Sequence, residues 1–530
     1  MKRLNYLFAA ATILALAGCG NVPAQKADAI SAGEHTRVQT IYGPIEGYLD
    51  GNVYTFKGIR YAKAERFMPP QAPDKFTEVR QCKLYGPQAP QNESLRWSGD
   101  TQRDYTFGNQ FVVEPMSEDE CLVLNVWTKG INDSGKRPVF VWIHGGGYSG
   151  GSAHDLPCYE GKSLADKGDI VYVSLNHRLN VLGYTDLTAL GGKYEDSVNL
   201  GMQDIVKALE WIRDNIALFG GDPASVTIAG QSGGGGKVST LLAMPSAKGL
   251  FKRAIVQSGS TLTLADPAAS REYGKAFAEA LGQKADATAD FSGFSYEELT
   301  AAGNRANRIL AAKGIRGSSG SPVTDGKIVA QNPFDGPNEI SKDIPMLIGT
   351  NYNEFTFDIN VKDSDDKIRE NLARRVGADN VDRYIAAFNK AYPEKELKEI
   401  TYIDLNFRRG AVQQAAVKST QGGAPAYLYM FTWAPTTNAL GASHGMELPF
   451  MSNNVALQRE MTGSTPDAYV FEDLISNIWL SFIKTGNPNV KGLPNWEPYN
   501  VENGPCMILD RTCELRYNHD KELLEFSGRR

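Results

Sequence analysis

The sequence predicts an α/β chain, a central, mostly parallel β-sheet flanked by helices, with helical insertions over one end. Three observations carry that expectation. Two short apolar, β-branched runs, Pro138 to Ile143 (PVFVWI) and Asp169 to Asn176 (DIVYVSLN), have the composition of parallel strands buried on both faces. Along 202–219, Ile205, Leu209, Ile212, Ile216 and Phe219 recur at helical spacing and give one core-facing stripe. Strands and helices then keep alternating, which implies a sheet covered on both sides. At ~150 residues per domain the 530 residues would make three or four domains. No repeat, low-complexity block or long linker divides 38–530, however, so one large domain is expected there. With 42% hydrophobic and 22% charged residues, wholesale disorder is excluded, and the chain can bury a large core without disulfide staples. The net charge of −6, with no basic run, leaves no footprint for nucleic acid.

Taken from the start, residues 1–18 read as an export signal. Lys2 and Arg3 precede an apolar run from Leu7 to Ala17, too short for a membrane-spanning helix, which needs about 20 residues, but the right length for a secretory signal. The run ends in Leu16-Ala17-Gly18-Cys19, which resembles a bacterial lipoprotein cleavage box. That resemblance implies Cys19 as the first mature residue, carrying lipid, with 19–37 as a polar tether. The expected location is membrane-anchored, in the periplasm or at the outer membrane or cell surface. Position 20 is Gly rather than Asp, which fits outer-membrane sorting in a Gram-negative source.

Beyond the tether, Ser225 to Ala229 (SVTIA), Ala254 to Gln257 (AIVQ), Met346 to Gly349 and Ala426 to Thr432 (AYLYMFT) continue the strand series. Charged helical stretches near 270–315 and 362–420 interrupt the rhythm and read as the insertions. Strand SVTIA runs directly into Gly230-Gln231-Ser232-Gly233-Gly234 and then a helical segment. A turn this tight needs flanking positions without side chains, and it lifts the Ser232 hydroxyl above the C-terminal edge of the sheet, where open α/β folds bind ligands. The same pattern recurs at Gly147-Tyr148-Ser149-Gly150-Gly151, but no helix start follows, so that copy reads as a loop. A phosphate loop is excluded because Gln231 and Val238 stand where Gly and Ser or Thr would be required.

Strand PVFVWI ends in His144-Gly145-Gly146-Gly147. Acyl transfer places negative charge on the carbonyl oxygen, and backbone N–H groups of Gly146, Gly147 and Gly233 are the candidate donors to it. A serine nucleophile needs a general base, usually His. Serine hydrolases with this strand–turn–helix elbow run Ser, acid, His in chain order. Of six histidines only His444 and His519 follow Ser232 at a suitable distance. His444, in the small-residue loop Gly441-Ala442-Ser443-His444-Gly445, is the better placed, whereas His519, near a charged end, reads as solvated. The acid must orient that imidazole. Glu354, after the strand Met346 to Gly349, fits, and Asp325, in a turn, is the alternative.

These residues resemble the bacterial type-B carboxylesterases, relatives of the cholinesterases in the α/β-hydrolase superfamily. The likeness runs from about residue 38 to the end. It includes Phe56-Lys57-Gly58-Ile59-Arg60-Tyr61-Ala62, Glu120-Cys121-Leu122-Val123-Leu124-Asn125-Val126, the glycine loop at 144–147, Phe219-Gly220-Gly221-Asp222-Pro223, the elbow at Ser232, Gly349-Thr350-Asn351 with Glu354, His444 with Glu447-Leu448-Pro449, Thr485-Gly486-Asn487-Pro488, and Trp496. The resemblance implies a Ser232–Glu354–His444 triad, an acyl-enzyme, a small-molecule ester substrate and no cofactor. Several positions depart from the family pattern. An acidic residue usually precedes the serine and Ala follows it, where this chain has Gln231 and Gly233. His177 and Asn180 stand where Tyr and Gly are common, near the site mouth. Amide, carbamate or long-chain lipid ester substrates would use the same machinery. A non-catalytic binding protein on this fold would usually lack the serine.

With Cys19 set aside, five cysteines remain. Cys506 and Cys513 flank a hairpin-like stretch (CMILDRTC) and are a candidate disulfide. Cys121 matches a family disulfide position whose usual mate position holds Ala89, which leaves Cys82 as a substitute partner. No CxxC or Cys/His cluster suggests a metal site.

Overall fold

The computed structural model describes residues 29–92, 115–315 and 320–527. Fifteen strands are seen among them. They are β1 (Ile30–Ser31), β2 (Arg37–Gln39), β3 (Pro44–Glu46), β4 (Tyr48–Asp50), β5 (Val53–Arg60), β6 (Arg80–Gln81), β7 (Val123–Thr128), β8 (Arg137–Ile143), β9 (Val171–Leu175), β10 (Gly221–Gln231), β11 (Arg253–Gln257), β12 (Met346–Asn351), β13 (Ala426–Phe431), β14 (Pro505–Leu509) and β15 (Glu514–Tyr517). Twelve form one sheet in the order β1-β4-β5-β7-β9-β8-β10-β11-β12-β13-β14-β15, and β2, β3 and β6 form a small second sheet.

The seven strands from β9 to β14 in that order are parallel, and the edges are antiparallel. Strands β9, β12 and β13 are buried along their whole length, which is why the sequence shows them as unbroken apolar runs rather than alternating ones. Strand β10 is longer than its apolar run. It pairs with β8 at Gly221, passes through an irregularity that accommodates Pro223, and pairs continuously from Val226 to Gly230.

From β8 the chain goes to β9 on one side, then crosses to β10 on the other. The strand order therefore reverses between β8 and β10, and ligand crevices in open α/β sheets form at the C-terminal ends of such a pair. The Gly-rich loop and the Ser232 turn leave from these two strand ends.

The helix Leu200–Asn215, continued by a 3-10 turn at Ile216–Phe219, presents the expected apolar stripe to the sheet. The insertion near 270–315 forms helices Pro267–Ala280 and Tyr296–Ala312. The first is capped by Asp266, and the second by a reciprocal Ser295/Glu298 box. Both helices pack around a separate apolar cluster that includes Phe67, Phe277, Phe291, Leu299 and Leu310. The stretch 362–420 differs from expectation. Its last helix, Asn406–Ser419, lies against β12 and β13, so it is one of the helices covering the sheet rather than an insertion over its end. No helix among the described residues is long and apolar enough to cross a membrane.

Two sequence expectations fall differently. Cys82, Cys121, Cys158, Cys506 and Cys513 are all free thiols. The antiparallel pairing of β14 with β15 sets Arg516, not Cys513, opposite Cys506, and the Cys513 thiol turns to the Asp510 carbonyl at 3.4 Å. Cys82 and Cys121 are buried as separate thiols, with the Cys121 thiol directed to the Glu118 carbonyl at 3.6 Å. Cys19, the expected lipid site, and the signal segment lie outside the described residues.

Candidate active site

Ser232 sits between β10 and the helix Gly233–Leu241 at φ 59°, ψ −127°, a strained conformation for a residue with a side chain. Its N–H donates to the Gln257 carbonyl at the end of β11 (2.8 Å), so the neighbouring strand pins the turn. Gly146 and Gly147 follow β8 with φ of 83° and 64°. A Cβ on Gly233 would stand 2.1 Å from the Gly147 carbonyl oxygen. The absence of a side chain there admits the glycine loop to close contact with the backbone beside Ser232. Ser149, the serine of the second glycine motif, lies in a turn of that loop, where Gly150 N–H donates to the Gly146 carbonyl at 3.1 Å.

Glu354 follows β12 and is fully buried, at φ 42°. One carboxylate oxygen accepts from Ser258 Oγ (2.7 Å) and from Asn351 N–H (2.8 Å), and the other lies 2.5 Å from His444 Nδ1. The His444 backbone N–H also donates to the Glu354 carbonyl, at 2.8 Å. With Nδ1–H directed at the carboxylate, Nε2 is left as the acceptor, and the amide of Gln231 donates to it at 3.0 Å. Ser232 has no hydrogen bond to His444 in this structure. Phe355, 59% exposed, stacks on the imidazole at 4.3 Å, and Phe407 tilts against it at 5.4 Å.

Behind the pair lies a second buried carboxylate, Glu447, which accepts from Asn351 Nδ2 (2.6 Å) and Gln257 Nε2 (3.1 Å). Burial, reinforced by the nearby charge of Glu354, pushes its pKa up to about 7. Ser232, His444, Gln231, Phe355 and the glycines of the loop line a cavity of about 420 Å³. Leu156, Tyr159, Leu448 and Met461 supply apolar walls, and Tyr296 and Thr300 reach in from the helix Tyr296–Ala312.

The structure thus brings together Ser232, Glu354, His444, Gly146, Gly147 and Gly233. Asp325 is elsewhere, accepting from the backbone N–H groups of Ile328 (2.9 Å) and Val329 (2.8 Å) as an ordinary turn residue. His519 is also elsewhere and is buried beside Asp520 rather than solvated. Asn180 lines the cavity, but His177 does not, because it is fully buried and stacked on His144 at 4.7 Å. Sequence reasoning missed Ser258 and Phe355. Ser258 had a signal, since it directly follows strand AIVQ, whose neighbours carry the other strand-end groups. Among the described residues no His/Cys/Asp/Glu group could hold a metal ion.

Replacing Gly233 by Ala is expected to push the glycine loop away from Ser232. Loss of one well-placed backbone donor typically costs on the order of 10²–10³ in rate. Gly233→Ala is therefore expected to lower kcat by about that factor with KM little changed. Steady-state kinetics on a p-nitrophenyl ester check this, and wild-type kcat in the variant refutes it.

A sheet of this order, with a strained serine turn and a glycine loop at the reversal point, defines an α/β-hydrolase. The model of the carboxylesterase family matches residues 34–527, so the chain belongs to that family and is a carboxylic ester hydrolase. The para-nitrobenzyl esterase of Bacillus subtilis is 33% identical over 500 residues, covering 92% of this chain and 97% of that protein. The phenmedipham hydrolase of Pseudarthrobacter oxydans is 30% identical over 490 residues, covering 89% of this chain and 94% of that one. Among solved structures, an esterase from anaerobic Clostridium hathewayi that can hydrolyze aliphatic aromatic polyesters superposes with a TM-score of 0.85 at 33% identity, covering 94% of this chain and 99% of that one.

Proposed function

We propose that the chain hydrolyses carboxylic esters through a Ser232–His444–Glu354 triad and an acyl-enzyme. The observation that carries this reading is the 2.5 Å contact of His444 with a fully buried Glu354, beside a strained Ser232 in the same cavity. Ser232 Oγ attacks the ester carbonyl as its proton passes to His444 Nε2. The carbonyl π electrons move onto oxygen, facing the N–H groups of Gly146, Gly147 and Gly233. Collapse expels the alcohol, which takes the proton back from His444, and water repeats the sequence on the acyl-enzyme. Because Gln231 bonds Nε2 in this structure, that amide must give way to the serine hydroxyl when substrate enters. Hydrogen bonds of catalytic groups are often loose before substrate binds.

The apolar walls and the exposed Phe355 suit an uncharged ester with an aromatic group. The name of the Bacillus relative and the polyester activity of the Clostridium esterase point the same way. Rapid mixing with p-nitrophenyl acetate is expected to give a burst of one p-nitrophenol per chain ahead of the steady state. Turnover without a burst, together with no acetyl mass increment on quenched enzyme, would count against an accumulating acyl-enzyme. Transfer of the acetyl group to a residue other than Ser232 would remove the reading altogether.

A further inference from the structure

The helix that begins at Ser232 carries an unusual residue one turn in. Lys237 is fully buried, and its Nζ donates to the carbonyl oxygen of His144, the last residue before the glycine loop, at 3.0 Å. It lies on the face of the helix that meets β8, because Gly233 and Gly234, four and three residues earlier, approach the Gly147 and Ile143 carbonyls. Glycines bring the helix backbone against the strand end, and the lysine reaches past them to the His144 carbonyl. Nζ also lies 5.8 Å from the centroid of the Tyr148 ring, and buried His177, stacked on His144, is close enough to feel its charge. No carboxylate bonds Lys237 among the described residues. A buried cation is costly unless it is paired, so this one is unexplained by stability alone.

We propose that Lys237 is a positioning residue for the oxyanion site: its ammonium fixes the glycine loop through His144 and holds an uncompensated positive charge behind the place where the ester carbonyl oxygen becomes negative. This rests on the triad reading above. Burial brings the lysine pKa down to about 7, so the charge is present below that pH and is lost as pH rises through it. His177 contributes no competing cation, since burial and the neighbouring Lys237 hold its pKa well below the usual imidazole range. Glu447 also titrates near neutrality, but it packs on the Glu354 side and would change equally in wild type and in Lys237 variants.

Lys237→Met removes both the donor and the charge, and Lys237→Gln keeps a donor without the charge. Both are expected to lower kcat about tenfold to a hundredfold with KM nearly unchanged. Both are expected to weaken a trifluoromethyl ketone, whose adduct carries the oxyanion, by a similar factor, and to lose an alkaline fall in kcat that the wild type shows. Tm is expected at or above the wild-type value in Lys237→Met, because a buried unpaired charge has been removed. Unchanged kcat and adduct affinity in folded variants overturn the proposal, as does a loss of activity that tracks a lower Tm.

If neither variant folds, calorimetry on the wild type still decides. At pH 8, ketone binding measured in two buffers of different ionisation enthalpy should show net proton uptake, as the adduct recharges Lys237, because the serine proton merely moves to His444. Zero uptake refutes the charge. Failure of the triad reading is distinguishable, since it would show as an active Ser232→Ala enzyme whatever Lys237 does.

Discussion

Ser232→Ala is expected to reduce kcat on short p-nitrophenyl esters by about 10⁴–10⁶-fold while leaving the fold intact. The methyl group occupies less space than the hydroxymethyl, and Ser232 Oγ makes no hydrogen bond whose loss would strand a buried partner. The strained φ of 59° persists in the variant, because it is imposed by β11 through the Gln257 carbonyl and by the glycine contacts. What disappears is the atom that forms the acyl bond. The cavity and the N–H groups of the glycine loop remain, so a residual rate above that in water is expected. Circular dichroism and thermal melting confirm the fold, and steady-state kinetics read the loss. A folded variant within tenfold of wild type would remove Ser232 from the mechanism.

Glu354→Gln is expected to cost about 10⁴-fold in kcat, as amide replacements of a triad carboxylate do. The geometry gives the reason. Glu354 accepts three hydrogen bonds, from Ser258 Oγ, Asn351 N–H and His444 Nδ1, and donates none. A glutamine there must point its NH₂ at one side. Toward His444 it forces the imidazole to present an acceptor at Nδ1, which places the proton on Nε2, where a lone pair is needed. Toward Asn351 it sets two fixed donors against each other inside the core. Measured pH profiles should show the loss across the whole active range, because the defect is one of tautomer and not of ionisation. A variant that keeps wild-type kcat near neutral pH would show that Glu354 does not orient the base.

The strand ends were the most legible part of this molecule, because parallel strands buried on both faces leave unbroken apolar runs, and chemistry collects where those runs stop. Ser232 and the glycines at 145–147 stand directly at such ends, and His444, singled out by chain order, lies in the loop after another. Glu354 was only half legible. Its strand was clear, but Asp325 remained open on spacing, and a turn carboxylate looks like any other until its backbone partners are seen. The bond from Gln231 to His444 joins residues 213 positions apart, and no local pattern encodes it. His177 was placed near the site mouth by the family resemblance alone, and the packing of His144 over it shows that it is buried instead. The cysteines misled through counting. Cys506 and Cys513 are near in sequence, yet the register of β14 on β15 sets Arg516 opposite the first of them.

Tyr296 and Thr300 reach the cavity from a helix whose apolar face belongs to the cluster around Phe277 and Phe291, not to the core under the sheet. Tyr159, Leu448 and Met461, on the other walls, belong to that core. The side of the cavity formed by Tyr296 and Thr300 and the floor that performs the reaction are thus held by two different sets of contacts. Such a division lets one part drift while the other stays fixed. Changes within the smaller cluster can tilt or shift that side, altering which esters are admitted, without disturbing the register that aligns Glu354 with His444. A lineage built this way can exchange diets without relearning its chemistry.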